Sequence, residues 1–275
     1  MQLLKKIFDF YIFSNIHVAL AGFCLTKITL IKFGCTASFS PLFVAFSIIT
    51  SYNFIRFYEI KTEKLGRFKA WFLNHKNNLI AVTIFSLFGI GYVLFFTSLN
   101  VESLLILLPF AFMTVFYVVP IFKKRNIEVS FRNFPGIKIF SIAFAWAGVT
   151  VFFPLYEKGF VFNTSVCIEF VQRVLFLIAI TLPFDIRDLQ LDSKQLRTIP
   201  QVLGVKYTKI LGTILIVIFV LLGFVQKNNV STTVIIAIIT LLFLWFSNVH
   251  KSTFYASFWV EAIPIFWLCL ILLFL

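Results

Sequence analysis

Long apolar stretches separated by short polar connections dominate the chain. A helix that crosses a membrane needs about 20 mostly apolar residues to span the hydrocarbon layer. Nine stretches approach or exceed that length, and we predict that each forms a membrane-crossing helix. These stretches are 8–30, 38–55, 78–98, 102–122, 136–156, 163–184, 208–226, 230–247 and 255–275.

The composition indicates the same class of protein. Of the 275 residues, 60% are hydrophobic and only 13% are charged, and the mean hydropathy is +0.99. Because a soluble surface needs roughly 25–35% charged residues, a soluble enzyme and a disordered chain are both excluded. The predicted fold class is therefore all-α: a polytopic membrane protein whose residues 1–275 form a single helical domain. The four scattered cysteines predict neither a disulfide framework nor a zinc site.

The basic residues are concentrated on one predicted face of the membrane. Of the 24 Lys and Arg residues, 19 fall on the side of the N-terminus, only 4 fall on the opposite side, and Arg173 lies inside a predicted helix. Since basic residues accumulate in cytoplasmic loops, we predict a cytoplasmic N-terminus and, after nine crossings, an outer C-terminus. The net charge of +13 then needs no nucleic acid as a partner, and it favours an anionic lipid headgroup or a diphosphate at the cytoplasmic face.

Three of the 11 acidic residues lie together where the sixth stretch ends. Asp185, Asp188 and Asp192 are spaced i, i+3 and i+7, which predicts three carboxylates on one face of a helix. Carboxylate and phosphate oxygens are the ligands that Mg²⁺ prefers, and such an ion can stabilise a departing diphosphate. The alternative is a solvated helix end at which Arg187 and Lys194 are ion-pair partners.

Basic residues follow directly in the next connection. Lys194 and Arg197 are candidates for binding phosphate oxygens, the lysine as a point charge and the arginine through two parallel hydrogen bonds. The ordinary positive charge of a cytoplasmic loop explains them equally well.

The stretch from Phe184 to Gly204, FDIRDLQLDSKQLRTIPQVLG, resembles the second aspartate-rich motif of the UbiA-type intramembrane prenyltransferases. The block from Tyr117 to Lys138, together with Trp146, is similar to the family segment between the fourth and fifth helices. The resemblance implies a UbiA-like bundle of about nine helices around a cavity that opens laterally to lipid. It also implies transfer of an isoprenyl chain from its diphosphate to a lipophilic acceptor, with Mg²⁺ as the cofactor.

The resemblance also implies roles for individual residues. Asp185, Asp188 and Asp192 would be the catalytic residues that hold Mg²⁺. Lys194 and Arg197 would bind the diphosphate.

The first acidic motif of that family is degenerate in this chain. Asn53 matches its asparagine and is a candidate for binding the diphosphate, but Phe54, Phe57 and Lys61 stand where its aspartates are expected. Arg56 lies among these positions, where its charge could replace that of a second metal ion and bind the diphosphate directly.

Two glutamates remain near the degenerate motif. Glu59 and Glu63 are four residues apart, so they are candidate metal ligands with a shifted geometry. The alternative is that they pair with Lys61, Lys64 or Arg67 in a solvated loop. Arg67 lies close to the position of a phosphate-binding arginine in the family, which makes it a further candidate for the diphosphate.

Two hypotheses follow for the function. The first is an Mg²⁺-dependent prenyltransferase. The second is a non-catalytic or repurposed UbiA-like protein that binds an isoprenoid or phospholipid phosphate, and the degenerate first motif supports it. A small transporter is a third class, but it predicts internal repeats, and none is evident in the sequence.

Polar residues inside the predicted helices complete the candidates. Glu169 and Arg173 are four residues apart in the sixth stretch, which predicts either an internal ion pair or a polar contact to the acceptor. Glu261, in the last stretch, has no partner nearby in the sequence.

Overall fold

The computed structural model of the protein describes residues 2–35, 37–62, 69–124, 127–134, 136–227 and 230–274. The described chain is almost entirely helical, which confirms the predicted helical class. One short hairpin departs from a purely helical fold: strands β1 (Phe122–Lys124) and β2 (Ile127–Val129) pair antiparallel.

Twelve α-helices form the described part of the fold. They are α1 (Gln2–Phe13), α2 (Ile16–Lys32), α3 (Ser40–Lys61), α4 (Lys69–Asn74), α5 (Lys76–Phe96), α6 (Leu108–Val118), α7 (Lys138–Ala147), α8 (Phe153–Glu157), α9 (Thr164–Arg187), α10 (Ile199–Gln226), α11 (Val230–Trp245) and α12 (Ile263–Leu273). A 3₁₀ helix (Val101–Leu107) leads into α6, a π-helical turn (Gly148–Phe152) joins α7 to α8, and a second π-helical turn (Tyr255–Val260) precedes α12.

Six helical segments of the described chain are long and apolar enough to cross a membrane. Helices α1 and α2 make a seventh if they count as one span, although they meet at an angle of 53°. Two of the nine predicted crossings are not long and apolar enough to count as membrane-crossing helices. Helix α11 has only 16 residues, and polar residues in the C-terminal half of α3 lower its hydropathy. The helices are therefore compatible with an integral membrane protein, while nine crossings stay a prediction.

Helix α10 starts at Ile199, well before the predicted stretch 208–226, because a short helical segment precedes the long one and joins it through a bend. Gly204 has φ +77°, a left-handed conformation that favours glycine because it lacks a Cβ atom. The short segment before the bend starts with Pro200 in its first turn, where a missing N–H costs no helical hydrogen bond. The Gln201 side chain accepts a hydrogen bond from the backbone N–H of Thr198 (3.0 Å), which fixes the start of the helix.

The centre of the bundle is formed by helices α2, α7, α9, α10, α11 and α12. Phe176 of α9, Phe219 of α10 and Trp267 of α12 are fully buried, and their ring centroids lie 5.1 to 5.6 Å apart. Aromatic rings at such distances stabilise packing beyond the area that they bury. This packing holds α9 in the middle of the bundle, with the end of α9 next to the start of α7.

Candidate functional site

A central cavity of about 330 Å³ lies among α2, α3, α7, α9 and the segment 257–264. Its lining changes from charged to apolar along the helices that enclose it. On α9, Asp185 gives way to Leu177 towards the middle of the helix, and on α7 Lys138 gives way to Trp146. A cavity of this kind suits an amphiphile that has a charged head and an apolar chain.

Lys138 holds two of the predicted acidic residues together. Its Nζ atom donates to Oδ1 of Asp185 and to Oδ2 of Asp192, both at 3.0 Å. The Asp185 side chain is 2% exposed and that of Asp192 is 21% exposed. The two carboxylates therefore converge on a single positive charge at the polar end of the central cavity.

The prediction that all three aspartates share one helical face is wrong for Asp192. Helix α9 ends at Arg187, and Asp192 lies in the turn that follows, where its N–H donates to the carbonyl oxygen of Asp188 (2.8 Å). The Gln201 Nε2 atom donates to the Asp192 carbonyl oxygen (3.0 Å), which ties this turn to the start of α10. Asp192 thus reaches Lys138 because the chain turns back, and helical spacing alone does not place it there.

Asp188 lines the central cavity but is held by its neighbour in the sequence. Arg187 donates from Nε to Oδ1 (2.9 Å) and from Nη2 to Oδ2 (2.7 Å) of Asp188. Arg187 also donates to Oγ of Ser257 (3.1 Å), which connects α9 to the last helical segment. The alternative prediction, in which Arg187 is an ion-pair partner at the end of α9, is confirmed for Asp188.

Arg56 lies in the lining of the central cavity together with Asp185 and Asp188. Its Nη1 atom donates to Oε2 of Glu59 (2.8 Å), and its guanidinium lies 4.8 Å from the centre of the Phe72 ring. The structure therefore brings Arg56 to the same cavity as Asp185 and Asp188.

Glu59 is buried and faces a neighbouring space. It forms ion pairs with Arg56 and with Arg132 and lines a loop cavity of about 250 Å³, which it shares with Lys138 and Asp192. Lys138 therefore stands between the central cavity and the loop cavity. The other candidates near the degenerate motif, Glu63 and Arg67, lie outside the described residues.

Asn53 is completely buried and serves the packing of three elements. Its Oδ1 atom accepts from Nδ2 of Asn15 (2.8 Å), and its Nδ2 atom donates to Oγ1 of Thr83 (2.9 Å). Asn15, between α1 and α2, has φ +68°, a conformation that asparagine tolerates better than most residues. Asn15 lines the central cavity while Asn53 does not, so Asn53 supports the wall and its amide is already engaged.

Lys194 and Arg197 lie on the exposed connection between α9 and α10. Neither belongs to the described lining of the central cavity or of the loop cavity. The structure therefore does not bring these two predicted phosphate ligands together with the aspartates, and the alternative of an ordinary charged loop describes their positions better.

Comparisons with protein-family models, with curated proteins and with solved structures give no match.

Two further cavities share wall residues with the central cavity. A side cavity of about 200 Å³ and an apolar cavity of about 320 Å³ both have Tyr52 and Trp146 in their walls, as the central cavity does. These two rings meet edge to face, with centroids 6.2 Å apart. They therefore form a partition between the central cavity and the apolar cavity, while the side cavity also has the charged residues Arg56, Glu59 and Arg132 in its wall.

A separate charged cluster lies in the interior of the bundle. Glu169 accepts from Nζ of Lys32 through Oε2 and from Nη2 of Arg173 through Oε1, both at 2.9 Å. All three side chains are at most 1% exposed. The predicted Glu169–Arg173 ion pair is confirmed, and Lys32, which lies 137 residues from Glu169 in the sequence, was not foreseen as its second partner.

Sequence reasoning also missed Lys138 and Gln201 as functional residues. Lys138 ends the Tyr117–Lys138 block, but the sequence assigns it no role because its two carboxylate partners lie 47 and 54 residues away. The signal that could have found it is its position as the last basic residue before a long apolar helix, which favours a location at the mouth of the bundle. Gln201 follows Thr198 by three residues, a spacing typical of a capping box, and this signal was available in the sequence.

Proposed function

We propose that the protein binds an isoprenyl diphosphate in the central cavity and transfers the isoprenyl chain to a lipophilic acceptor within the membrane. The observation that supports this most is the single cavity that combines Arg56, Lys138, Asp185 and Asp188 with an apolar wall. A diphosphate needs cations or a bound metal, and an isoprenyl chain needs an apolar space. The resemblance of the 184–204 segment to the UbiA-type motif supports the transfer chemistry.

The proposed topology goes beyond the six or seven spans that pass the test of length and apolarity. We propose that α3 and α11 also cross the membrane, which gives about nine crossings in a UbiA-like bundle, with a cytoplasmic N-terminus. Two observations support this proposal: α3 packs between α2 and α5, and α11 packs between α10 and α12. The distribution of basic residues supports the orientation.

Arg56 and Lys138 are the proposed ligands of the diphosphate. The planar guanidinium of Arg56 can donate two parallel hydrogen bonds to phosphate oxygens, and Lys138 supplies a compact charge. Both lie at the charged end of the central cavity. These residues take the role that the resemblance gave to Lys194 and Arg197, which lie on the exposed loop.

The residues present are compatible with one Mg²⁺ ion. Asp185 and Asp192 already converge on one cation, Lys138, and carboxylate oxygens are the ligand type that Mg²⁺ prefers. Asp185 and Asp192 would hold the ion in exchange for Lys138, and Asp188 would contribute once Arg187 releases it. When bound, Mg²⁺ neutralises the charge of the departing diphosphate.

The residues of the chain itself contribute binding, orientation and the exclusion of water. Lys138 lies at the charged end of the cavity, where its ammonium can neutralise charge on the leaving group. Fixed charges in a site shielded from water stabilise such developing charge more strongly than water does. Tyr52 and Trp146 separate the central cavity from the apolar cavity, and the apolar cavity receives the chain.

Filling the apolar cavity beyond Tyr52 and Trp146 should shift the donor preference towards a shorter isoprenyl chain. Ala145 lines both the side cavity and the apolar cavity, so Ala145→Phe places a ring where the chain would lie. We expect the preference for a 20-carbon over a 10-carbon diphosphate to fall by about tenfold, since apolar pockets discriminate by roughly this factor for a missing or added group. The measurement is the ratio of kcat/KM values for the two donors.

Ala81→Phe is the matched control, because Ala81 lies on the exposed side of α5. It should leave the donor ratio unchanged. Equal ratios in Ala145→Phe, Ala81→Phe and the wild-type protein would show that the chain does not lie in these two cavities.

Binding without transfer is the second candidate function. Lys138 already neutralises Asp185, and Arg187 already neutralises Asp188. Arg56 lies near the positions where the UbiA-type family has aspartates. Such a cation-rich site would bind a phosphorylated lipid and need no metal ion.

Purified protein with labelled isoprenyl diphosphates of several lengths tests the two functions. Transfer predicts Mg²⁺-dependent release of diphosphate and a prenylated lipophilic product. Binding without transfer predicts saturable binding of the same donors with no release in the presence or absence of Mg²⁺. Absence of both release and binding would contradict both functions.

A further inference from the structure

Glu261 is an acidic residue in the central cavity that the proposed function has not used. It lies between the π-helical turn Tyr255–Val260 and α12, and its N–H donates to the carbonyl oxygen of Ala256 (3.2 Å). This wide turn and the spacing of Ser257, Glu261 and Pro264 place all three residues in the cavity wall. Single π-helical turns often occur at functional sites because they redirect side chains.

Glu261 differs from the other acids of the cavity in its partners. Asp185 is paired with Lys138, and Asp188 is paired with Arg187. Within the described part of the chain, Glu261 forms neither a hydrogen bond nor an ion pair through its carboxylate. Arg187 and Arg56 attract it only from a distance.

The surroundings of Glu261 make a cationic ligand favourable. The adjacent wall is apolar, with Val260 and Pro264 beside it and Ile180 on α9. A carboxylate in such surroundings is costly as an isolated charge and gains most from a positive partner. Arg56 and Arg187 are already paired with Glu59 and Asp188, so a bound ligand is the group that can supply a positive charge next to Glu261.

We propose that Glu261 is a cation-stabilising residue that faces the positive charge of the allylic carbon as the diphosphate leaves. In this step the bond between the allylic carbon and the diphosphate oxygen breaks, and its electron pair leaves with the oxygen. The acceptor then supplies the electron pair of the new bond, and the proton that it loses passes to the released diphosphate. The inference rests on the proposed function, and it assigns the cavity two neighbouring sites of opposite charge.

Glu261→Gln separates charge from shape, because glutamine has nearly the same size. We expect the single-turnover release of diphosphate from farnesyl diphosphate to slow by roughly 10- to 100-fold, as for the loss of one electrostatic contact to a transition state. Donor affinity should stay within about twofold, because the stabilised charge appears only during the reaction. Glu102→Gln changes an exposed glutamate that lines neither the central nor the apolar cavity, so it is the matched control and should release diphosphate at the wild-type rate.

A binding measurement tests the cation site without any turnover. The probe is a dodecyl dimethylammonium ion, offered together with inorganic pyrophosphate. The wild-type protein and Glu102→Gln should bind the ammonium more tightly when pyrophosphate is present, whereas Glu261→Gln should bind only pyrophosphate. This pattern in a protein that releases no diphosphate would contradict the proposed function and still support the cation site.

Two results would overturn the inference. One is ammonium binding in Glu261→Gln that equals that of the wild-type protein. The other is a slower release that arises wholly from weaker donor binding, because that would make Glu261 a ligand of the ground state. Thermal unfolding of Glu261→Gln at the wild-type temperature would show that neither result comes from loss of the fold.

Discussion

Replacing Asp185 by asparagine should slow the release of diphosphate by roughly 100- to 1000-fold, a loss comparable to that of a principal electrostatic contact in an active site. Asp185 is almost completely buried at the charged end of the central cavity, and its carboxylate is the proposed ligand of Mg²⁺. Asparagine keeps an oxygen that can accept from Lys138 but loses the negative charge. The measurement is single-turnover release of labelled diphosphate at saturating Mg²⁺.

The structure suggests that Asp185→Asn remains folded. Lys138 keeps Asp192 as its ion-pair partner at 3.0 Å, so no cation is left without a carboxylate. Glu102→Gln is again the matched control, since it removes an exposed charge. Release at the wild-type rate in Asp185→Asn would exclude the proposed role of this carboxylate, even if the donor still binds.

Glu169→Ala should lower the free energy of unfolding by about 3–5 kcal/mol, the usual cost of removing one partner from a buried ion pair. Glu169 neutralises both Lys32 and Arg173, and none of the three side chains contacts solvent appreciably. After the substitution, Lys32 keeps a hydrogen bond to Gln172 (3.1 Å) and Arg173 keeps one to the Leu25 carbonyl oxygen (2.9 Å). These bonds satisfy donors, but both side chains lose the Glu169 carboxylate that neutralises them.

Unfolding in detergent micelles measures this effect, and a second variant identifies its cause. If uncompensated charge is responsible, Lys32→Met in the Glu169→Ala background should recover part of the lost stability, because the two sites are in direct contact. Glu102→Gln should change stability by less than about 0.5 kcal/mol, as exposed substitutions usually do. Equal stability of Glu169→Ala and this control would contradict a structural role for the cluster.

The sequence was sufficient to predict the long apolar helices, but not the break between α1 and α2 or the short helix α4. Hydrophobic stretches of the right length identify helices because burial in lipid requires them to be apolar. Helix α3 shows the limit of this reasoning, because Asn53 and Arg56 make it less apolar than its neighbours. Those same residues are engaged inside the protein, where packing and not hydropathy decides their position.

The candidate site could be predicted only as far as local spacing extends. Asp185 and Asp188 were correctly placed near the end of α9, and the Arg187–Asp188 pair involves adjacent residues. The position of Asp192 depends on where α9 ends, and the position of Lys138 depends on how α7 packs against α9. Neither property is encoded in a short stretch of sequence, so the convergence of two acids on one lysine emerges only from the folded chain.

The location of a bound diphosphate tests the central claim most directly. An experimental structure with farnesyl thiodiphosphate, which resists loss of its diphosphate, would give that location. We predict phosphorus atoms next to Arg56 and Lys138 at the charged end of the central cavity, with the chain extending past Trp146. A diphosphate bound instead by the exposed Lys194 and Arg197, away from Arg56 and Lys138, would contradict the account.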